Sequence, residues 1–449
     1  TRVLIAVPSA SRRSRKAIID RLEPLAVRVQ TIPDMDDVIT GVSRLEDIRD
    51  VDVEDLLGRD PVPPHLDLLG KENSGRSVMV TGAGGSIGSE LCRQLLDVEP
   101  RRIVLVERSE IALYSLDREL RHLAAERDLE VLITALLADV RDRRRMREII
   151  DCFGVNTIYH AAAYKHVPIV EHNMFEGISN NVSGTAAVAH AAMEADIETF
   201  VLVSTDKAVS PTNVMGASKR LAELVLQAQA MESKKTRFCM VRFGNVLASS
   251  GSVVPLFREQ IRSGGPVTVT HPEIIRYFMT ITEAAQLVIQ AGAMASGGDV
   301  FVLDMGEPVK IVDLATKMIH LMGQTVKSDL NPAGDIEIVY TGLRPAEKLY
   351  EELLIGNNVT GTKHPRIMRA NEAHLEPDMM QGLMLTIERL AERRDYEGMR
   401  DLMVQYVEGY QPTGQVADHL YPQRVRKVSS TVTSLNDYQQ ANESKRVPD

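Results

Sequence analysis

Three cysteines in 449 residues, Cys92, Cys152 and Cys239, lie far apart, are odd in number and never form a CxxC pair. That argues against a disulfide framework and a thiol-based zinc site, and it fits a reducing compartment. No apolar run reaches the ~20 residues that a membrane-spanning helix needs, and no signal-peptide pattern opens the chain. Basic residues are outnumbered: 52 Lys and Arg against 62 Asp and Glu leave a net charge of −10. Neither nucleic acid nor an anionic bilayer is favoured as a partner. Internal repeats are absent, and no metal site is expected.

What is present is ordinary for a globular protein, with 44% hydrophobic and 25% charged residues. The length implies two or three domains. Residues 1–57 read as a partial α/β segment: strand "RVLIAV" (2–7), a basic helix in "SRRSRKAIIDRL" (11–22), strand "VRVQTIP" (27–33) and a short helix in "MDDVITG" (35–41). Residues 58–75 are rich in Pro and Gly and read as a linker. From Ser77 onward strands alternate with helices: "SVMVTG", "RIVLVE", "EVLITALLAD", "TIYHAA", "TFVLVST" and "TRFCMVRFGNV". The alternation predicts an α/β fold with a doubly wound parallel sheet, a Rossmann domain over 76–250. Over 251–412 shorter strands ("VTVT", "DVFVLD", "IEIVYT") mix with short helices, as expected of a smaller, mostly substrate-binding lobe closing over the strand ends. Residues 413–449 are polar and aperiodic, and predict a tail that is disordered or wraps a neighbouring subunit.

Within "TGAGGSIG", Gly82, Gly85 and Gly88 stand in GxxGxxG spacing between a strand and a helix. Glycine permits the tight turn and the close approach of a diphosphate, and the helix N-terminus offers N–H groups to the anion. Roughly 20 residues on, Glu107 ends the next strand, where an acid would hold adenosine ribose hydroxyls and favour NAD over NADP. Arg108 follows at once and would instead suit a 2′-phosphate. Asp139 is placed either to touch the adenine edge or to cap the helix in "VRDRRRMREII".

The stretch "STDKAVSPTNVMGASK" (204–219) sets an acid, Asp206, beside an amine, Lys207, after a strand. Alone, it would read as a capping aspartate next to a solvated lysine. Met215 and Lys219 lie four apart on one helix face, and a thioether cannot take a proton. The glycine spacing, "HAAA" (160–163), "NNVSGT" (180–185) and "VLVSTDK" (201–207) together resemble the extended short-chain dehydrogenase/reductase superfamily. "AAAYKHVPIVE", "STDKAVSPTNVMGASKR", "RFGNVLASSGSVVPLF", "RYFMT" and "GLRPAEKLYEELL" resemble more narrowly the nucleotide-sugar 4,6-dehydratases of bacterial polysaccharide (O-antigen and capsule) synthesis. The nearest likeness, over about residues 75–370, is to the large membrane-anchored UDP-N-acetylglucosamine 4,6-dehydratases.

That resemblance implies a lyase with NAD as cofactor and a UDP-sugar as substrate, a homo-oligomer at the cytoplasmic face of the bacterial inner membrane. Because the chain opens on Thr1, it is expected to be a fragment with the anchor upstream. The resemblance extends the cofactor site to Ser86, Ile87, Val140, Ala161 and Ala162. Such an enzyme oxidises carbon 4, removes the acidified hydrogen of carbon 5 while the 6-hydroxyl departs, and then reduces carbon 6. Elimination needs one acid and one base within reach of adjacent carbons. Asp206 is thereby assigned as acid and Lys207 as base, the reverse of their solution states, so the pair titrates jointly. In the superfamily a tyrosine at the place of Met215 takes the proton of the reacting hydroxyl, and a lysine at that of Lys219 holds the nicotinamide ribose. Here Lys219 keeps its task. Asp206 is the expected acceptor of the 4-hydroxyl proton, directly or through water, with Thr205 orienting that hydroxyl. Lys165 and His166 are candidates for the same pocket, or ordinary solvated groups.

Arg242 and Asn245 follow a strand. The resemblance puts Asn245, Arg276, Arg344 and Glu347 in the UDP pocket, where forked arginine donors suit a diphosphate and Glu347 accepts from ribose hydroxyls. Each arginine alone would equally suit an ion pair. Three functions stand open: the dehydratase, a UDP-sugar 4-epimerase that needs no acid–base pair at carbons 5 and 6, and a non-catalytic dinucleotide sensor suggested by Met215. The Asp206–Lys207 pair favours the first.

Overall fold

The computed structural model describes residues 2–7, 9–32, 48–51, 53–58, 62–247, 249, 251–344, 346–352 and 359–421. The expected helix at 35–41 and the tail beyond 421 lie outside the described residues. A nine-stranded sheet forms the centre. Its order is Leu132–Leu137, Arg102–Glu107, Ser77–Thr81, Thr157–His160, Thr199–Val203, Arg237–Arg242, Asp299–Leu303, then Ile367–Ala370 and Val359–Gly361. The first seven are parallel, Ile367–Ala370 runs antiparallel to them, and Val359–Gly361 pairs antiparallel with Ile367–Ala370. The order reverses between Ser77–Thr81 and Thr157–His160, the switch point at which a doubly wound sheet opens a binding crevice.

Both faces of the inner strands are buried, which is why they read as continuous apolar runs. Val78, Val80 and Leu105 pack with Leu91 and Leu95 of helix Ser86–Leu96 and with Leu287 and Val288 of helix Ile281–Ala293. Met79, Val104 and Val106 pack on the opposite face with Met146, Ile149 and Ile150 of helix Arg143–Phe153 and Val188 of helix Gly184–Glu194. Alternation of side chains along each strand sorts the two sets.

The sheet does not end at residue 250. "DVFVLD", read above as part of the smaller lobe, supplies the seventh parallel strand, and the chain returns again at 359–370. A short apolar run does not reveal which sheet it joins. The smaller lobe is built around helices Val253–Arg262 and Ile311–Leu321 and a three-stranded sheet of Val267–Val269, Ile336–Tyr340 and Val326–Lys327.

The N-terminal segment is an α/β unit of strands Arg2–Ile5, Arg28–Thr31 and Arg49–Asp50 with helix Arg12–Leu22. It docks on the smaller lobe: Ile19, Val29 and Leu56 join a core with Phe257, Met318 and Leu321. Lys317 pairs with Asp20 at 2.9 Å and Arg262 with Asp50 at 3.2 Å. Residues 62–75 of the expected linker are more ordered than their composition suggested. Leu66–Gly70 is helical and lies on helix Ile281–Ala293, with the His65 amide donating to Gln290 Oε1 at 2.9 Å. Among the described residues no helix is long and apolar enough to cross a membrane.

Below the C-terminal strand ends lies a dry ionic knot. Arg242, 1% exposed, donates to Glu223 at 2.6 and 2.9 Å and to Glu372 at 2.6 Å. Arg220 reaches Glu223 at 3.2 Å, and the Ser204 hydroxyl donates to it at 2.6 Å. Arg242 is therefore structural and does not serve a ligand. Burial alone would raise the Glu223 carboxyl, but Arg242, Arg220 and Ser204 outweigh it and hold it at about 2. Replacing one partner leaves an uncompensated buried charge. Arg242→Met should destabilise the protein by about 3–5 kcal/mol in urea unfolding. A loss below about 1 kcal/mol would show that the knot does not bear on stability.

Candidate active site

A cavity of about 860 Å³ opens at the switch point, between sheet and smaller lobe, within the roughly 300–1,000 Å³ usual for ligand pockets. Gly85, Ser86, Ile87, Gly88 and Ala161 line one end, Thr205, Lys207, Met215 and Lys219 the middle, and Lys165, Asn245, Arg276, Arg344 and Glu347 the rest.

The cofactor end is shaped by close backbone approach. Gly82 has φ +63°, and a Cβ there would lie 2.7 Å from the backbone of Ala162; a Cβ on Gly88 would lie 2.1 Å from the Gly82 carbonyl oxygen. Only glycine lets strand, turn and helix close up this way. No side chain caps helix Ser86–Leu96 at Gly85, which suits an anion at its N-terminus. The Glu107 carboxylate is fixed by the amides of Gly84 (3.0 Å), Arg108 (2.8 Å) and Ser109 (2.9 Å). Arg108 donates to the Tyr164 hydroxyl at 2.9 Å and stands 3.9 Å from Asp139. These residues fit NAD: a fixed carboxylate receives ribose hydroxyls and repels a 2′-phosphate. Asp139 does not cap the next helix; Asp142 does, accepting from the Arg145 amide at 2.9 Å. Asp139 instead grips Arg141, whose guanidinium holds it below the usual carboxylate range. Val140 is buried and packs toward Gly184, off the cavity wall.

The catalytic candidates sit on the turn after strand Thr199–Val203. Thr205 and Lys207 line the cavity, whereas Asp206, 2% exposed, lies behind them. Asp206 Oδ1 accepts from Thr205 Oγ1 at 3.0 Å and from Lys207 Nζ at 3.0 Å. Its Oδ2 has no partner among the described residues. Asp206 itself does not line the cavity, and its contacts toward it are Thr205 and Lys207; of the two routes expected above, direct or through water, the direct one has no open path here. Burial alone would lower the Lys207 ammonium's pKa; Asp206 and Glu351 outweigh it and hold it above the ordinary lysine value.

Helix Val214–Glu232 presses on this turn. Asn213 caps it, accepting from the Gly216 amide at 2.8 Å, and a Cβ on Gly216 would lie 2.1 Å from the Lys207 carbonyl oxygen. Met215 is 3% exposed. Lys219 Nζ donates to the Val203 carbonyl at 2.8 Å, and burial pushes its pKa down to about 8. Asn181, inside a π-helical turn at Ser179–Ser183, holds the Tyr164 backbone through both amide and carbonyl, as π-turns at functional sites often do.

At the expected nucleotide end the assignments shift. Asn245 accepts from Lys207 Nζ at 3.2 Å, so it belongs to the catalytic cluster. Arg276, 7% exposed, gives its donors to the carbonyls of Ile275, Lys348 and Leu349 and to Glu347. It pins the 347–349 segment and keeps little for a diphosphate. Glu347 is likewise engaged by Arg276 and by the Arg344 amide. The exposed Arg344 guanidinium has no acceptor among the described residues and remains the candidate for phosphate. Lys165 and His166 line the cavity, their pKa values lowered by partial burial. Sequence reading missed Glu351, which is 3.5 Å from Lys207 Nζ. Its only trace was a glutamate within "GLRPAEKLYEELL".

The model of a polysaccharide biosynthesis protein family matches residues 78–372. The chain is 48% identical to capsular polysaccharide biosynthesis protein CapD of Staphylococcus aureus over 81% of its own length and 59% of that protein's, so it spans less than two thirds of that relative. It is 33% identical to a UDP-glucose 4-epimerase of Rickettsia rickettsii, covering 62% of this chain and 77% of that one. DesIV of Streptomyces venezuelae, a dTDP-glucose 4,6-dehydratase solved with NAD and TYD bound, superposes with TM-score 0.51 at 20% identity over 71% of this chain and 98% of DesIV. That likeness shows the shared fold.

The Lys219 environment has a measurable signature. With a folded pKa near 8 against 10.5 for free lysine, the unfolded chain binds a proton that the folded one lacks between those values, so stability rises with pH there. Relative to Lys219→Met, the wild type should gain on the order of 3 kcal/mol between pH 8 and 10.5 in urea midpoints. A pH-independent difference would contradict the depressed lysine.

Proposed function

The chain belongs to the polysaccharide biosynthesis protein family, and we propose that within it this protein is a lyase, an NAD-dependent 4,6-dehydratase of UDP-N-acetylglucosamine. Its product would be a UDP-4-keto-6-deoxy-N-acetylhexosamine for a bacterial surface polysaccharide. The observation that carries the reading is that Thr205 and Lys207 line the cavity and share Asp206 behind them, with Met215 where a proton-accepting tyrosine would stand. A 4-epimerase manages one proton, on the 4-hydroxyl. An acid and a base joined by one hydrogen bond suit elimination across carbons 5 and 6.

When bound, NAD would lie against the glycine turn, Glu107 and Lys219, and would take the hydride of carbon 4 and give it back at carbon 6. Thr205 lines the cavity and donates to Asp206 Oδ1. It passes the 4-hydroxyl proton to that carboxylate, and so the tyrosine is dispensable. Asp206 then holds the proton that the departing 6-hydroxyl requires, delivered by the same route. Lys207 is the base at carbon 5, and Arg344 at the open end meets the diphosphate. The proposal includes an anchor outside this chain, a homo-oligomer, and work at the cytoplasmic face of the bacterial inner membrane.

Incubated with UDP-N-acetylglucosamine, the wild type should yield a product lighter by one water. Lys207→Met should slow this by about 10²–10⁴-fold, the usual cost of losing a general base, while retaining calorimetric affinity for the substrate. A product of unchanged mass would favour the epimerase, and NAD binding without affinity for any UDP-sugar would favour the sensor.

A further inference from the structure

Lys207 carries one proton too many for its task. Its Nζ is surrounded by acceptors: Asp206 Oδ1 at 3.0 Å, Asn245 Oδ1 at 3.2 Å and Glu351 Oε1 at 3.5 Å. An ammonium so held cannot take hydrogen from carbon 5 until it gives one up. On the dehydratase reading, on which this inference rests, Asp206 is by then occupied by the proton of the 4-hydroxyl. A second acceptor is required. Among the described residues, Asp206 and Glu351 are the two carboxylates within ion-pair distance of Lys207.

Glu351 is built into the site. Its side chain is 5% exposed and lines the cavity. Arg276 Nε lies 3.8 Å from the same Oε1, and Arg276 is itself fixed by three backbone carbonyls. The carboxylate is thereby held facing Lys207. Moving a proton from Nζ to Oε1 converts a buried ion pair into two neutral groups, a change that expulsion of water by a bound sugar favours.

We infer that Glu351 is the positioning residue that makes Lys207 a base: it takes the ammonium proton before carbon 5 is attacked and returns it afterwards. The balance closes. The Nζ–H bond breaks as Oε–H forms. The neutral amine takes the carbon 5 hydrogen, and the electron pair left behind expels the 6-hydroxyl, which leaves as water with the proton from Asp206. Once carbon 6 is reduced, the ammonium returns a proton to carbon 5, and Glu351 reprotonates Lys207.

The test uses the 4-keto-6-deoxy product in deuterium oxide. Its carbon 5 is already acidified, so enzyme-catalysed deuterium exchange there reads Lys207 without any redox step. Wild type and Asp206→Asn should exchange and Lys207→Met should not. With a ketone at carbon 4 no hydroxyl proton occupies Asp206, so Glu351→Gln is read on the Asp206→Asn background, where it should slow exchange about 10²-fold near neutral pH, in the range of a lost proton acceptor. The rate of this double variant should rise at higher pH than that of Asp206→Asn, because Lys207 must then lose its proton to solvent. Glu351→Asp on the same background should recover at least about a tenth of the Asp206→Asn rate with a similar pH profile, and it decides the matter should Glu351→Gln also lose calorimetric affinity. Exchange and pH dependence left at the Asp206→Asn level by Glu351→Gln would overturn the inference, as would equal impairment by both substitutions with the pH profile unmoved. A wild type that binds the keto-sugar yet exchanges nothing at carbon 5 would overturn the dehydratase reading itself.

Discussion

Glu223 has no contact with solvent, and the geometry of the site hangs from its carboxylate. Through it Arg242, at the end of strand Arg237–Arg242, and Ser204, at the end of the neighbouring strand, are tied to helix Val214–Glu232. Ser204 immediately precedes Thr205, and Lys219 lies one helical turn before Glu223. One knot thus sets the position of the proton-handling turn and of the lysine facing it. Breaking a buried ion pair costs far more than forming it gains, so the arrangement acts as a constraint on register more than as a source of stability.

Above the knot the charges alternate in space: Asp206, Lys207, Glu351, Arg276, Glu347. Each ion is stabilised by its neighbours in a partly dry cavity, where interactions are stronger than in water. The chain connects the turn that handles protons to the segment bearing Arg344, the candidate for the phosphates. An apolar thioether at position 215 fits the proposed function, in which the hydrogen-bonded Thr205 and Asp206 would carry the proton without a phenol.

Much of the fold was legible because its signals are local. Long apolar strands buried on both faces and a glycine turn between strand and helix announce themselves in a few residues. The turn at the cavity wall was equally legible, since Thr205, Lys207, Met215 and Lys219, which line the cavity, and Asp206 behind them fall within one short stretch. What failed depends on three-dimensional company. "DVFVLD" joins the main sheet, yet its run is too short to say so. Asp139 and Asp142 are both plausible caps, and only the backbone path selects Asp142. Asn245 and Arg276, assigned to the nucleotide from a resemblance, line the cavity, but their partners within the chain, Lys207 for one and the carbonyls of Ile275, Lys348 and Leu349 for the other, carry no sequence signal. Glu351 has no pattern of its own; its meaning comes from a lysine far away in the chain.

The central claim is that hydrogen leaves carbon 4 and returns at carbon 6, with elimination between. UDP-N-acetylglucosamine deuterated at carbon 4 tests it most directly, with the product read by NMR. The account predicts deuterium in the methyl group at carbon 6 of a 4-keto sugar. Deuterium recovered at carbon 4 of an epimer of unchanged mass would contradict it.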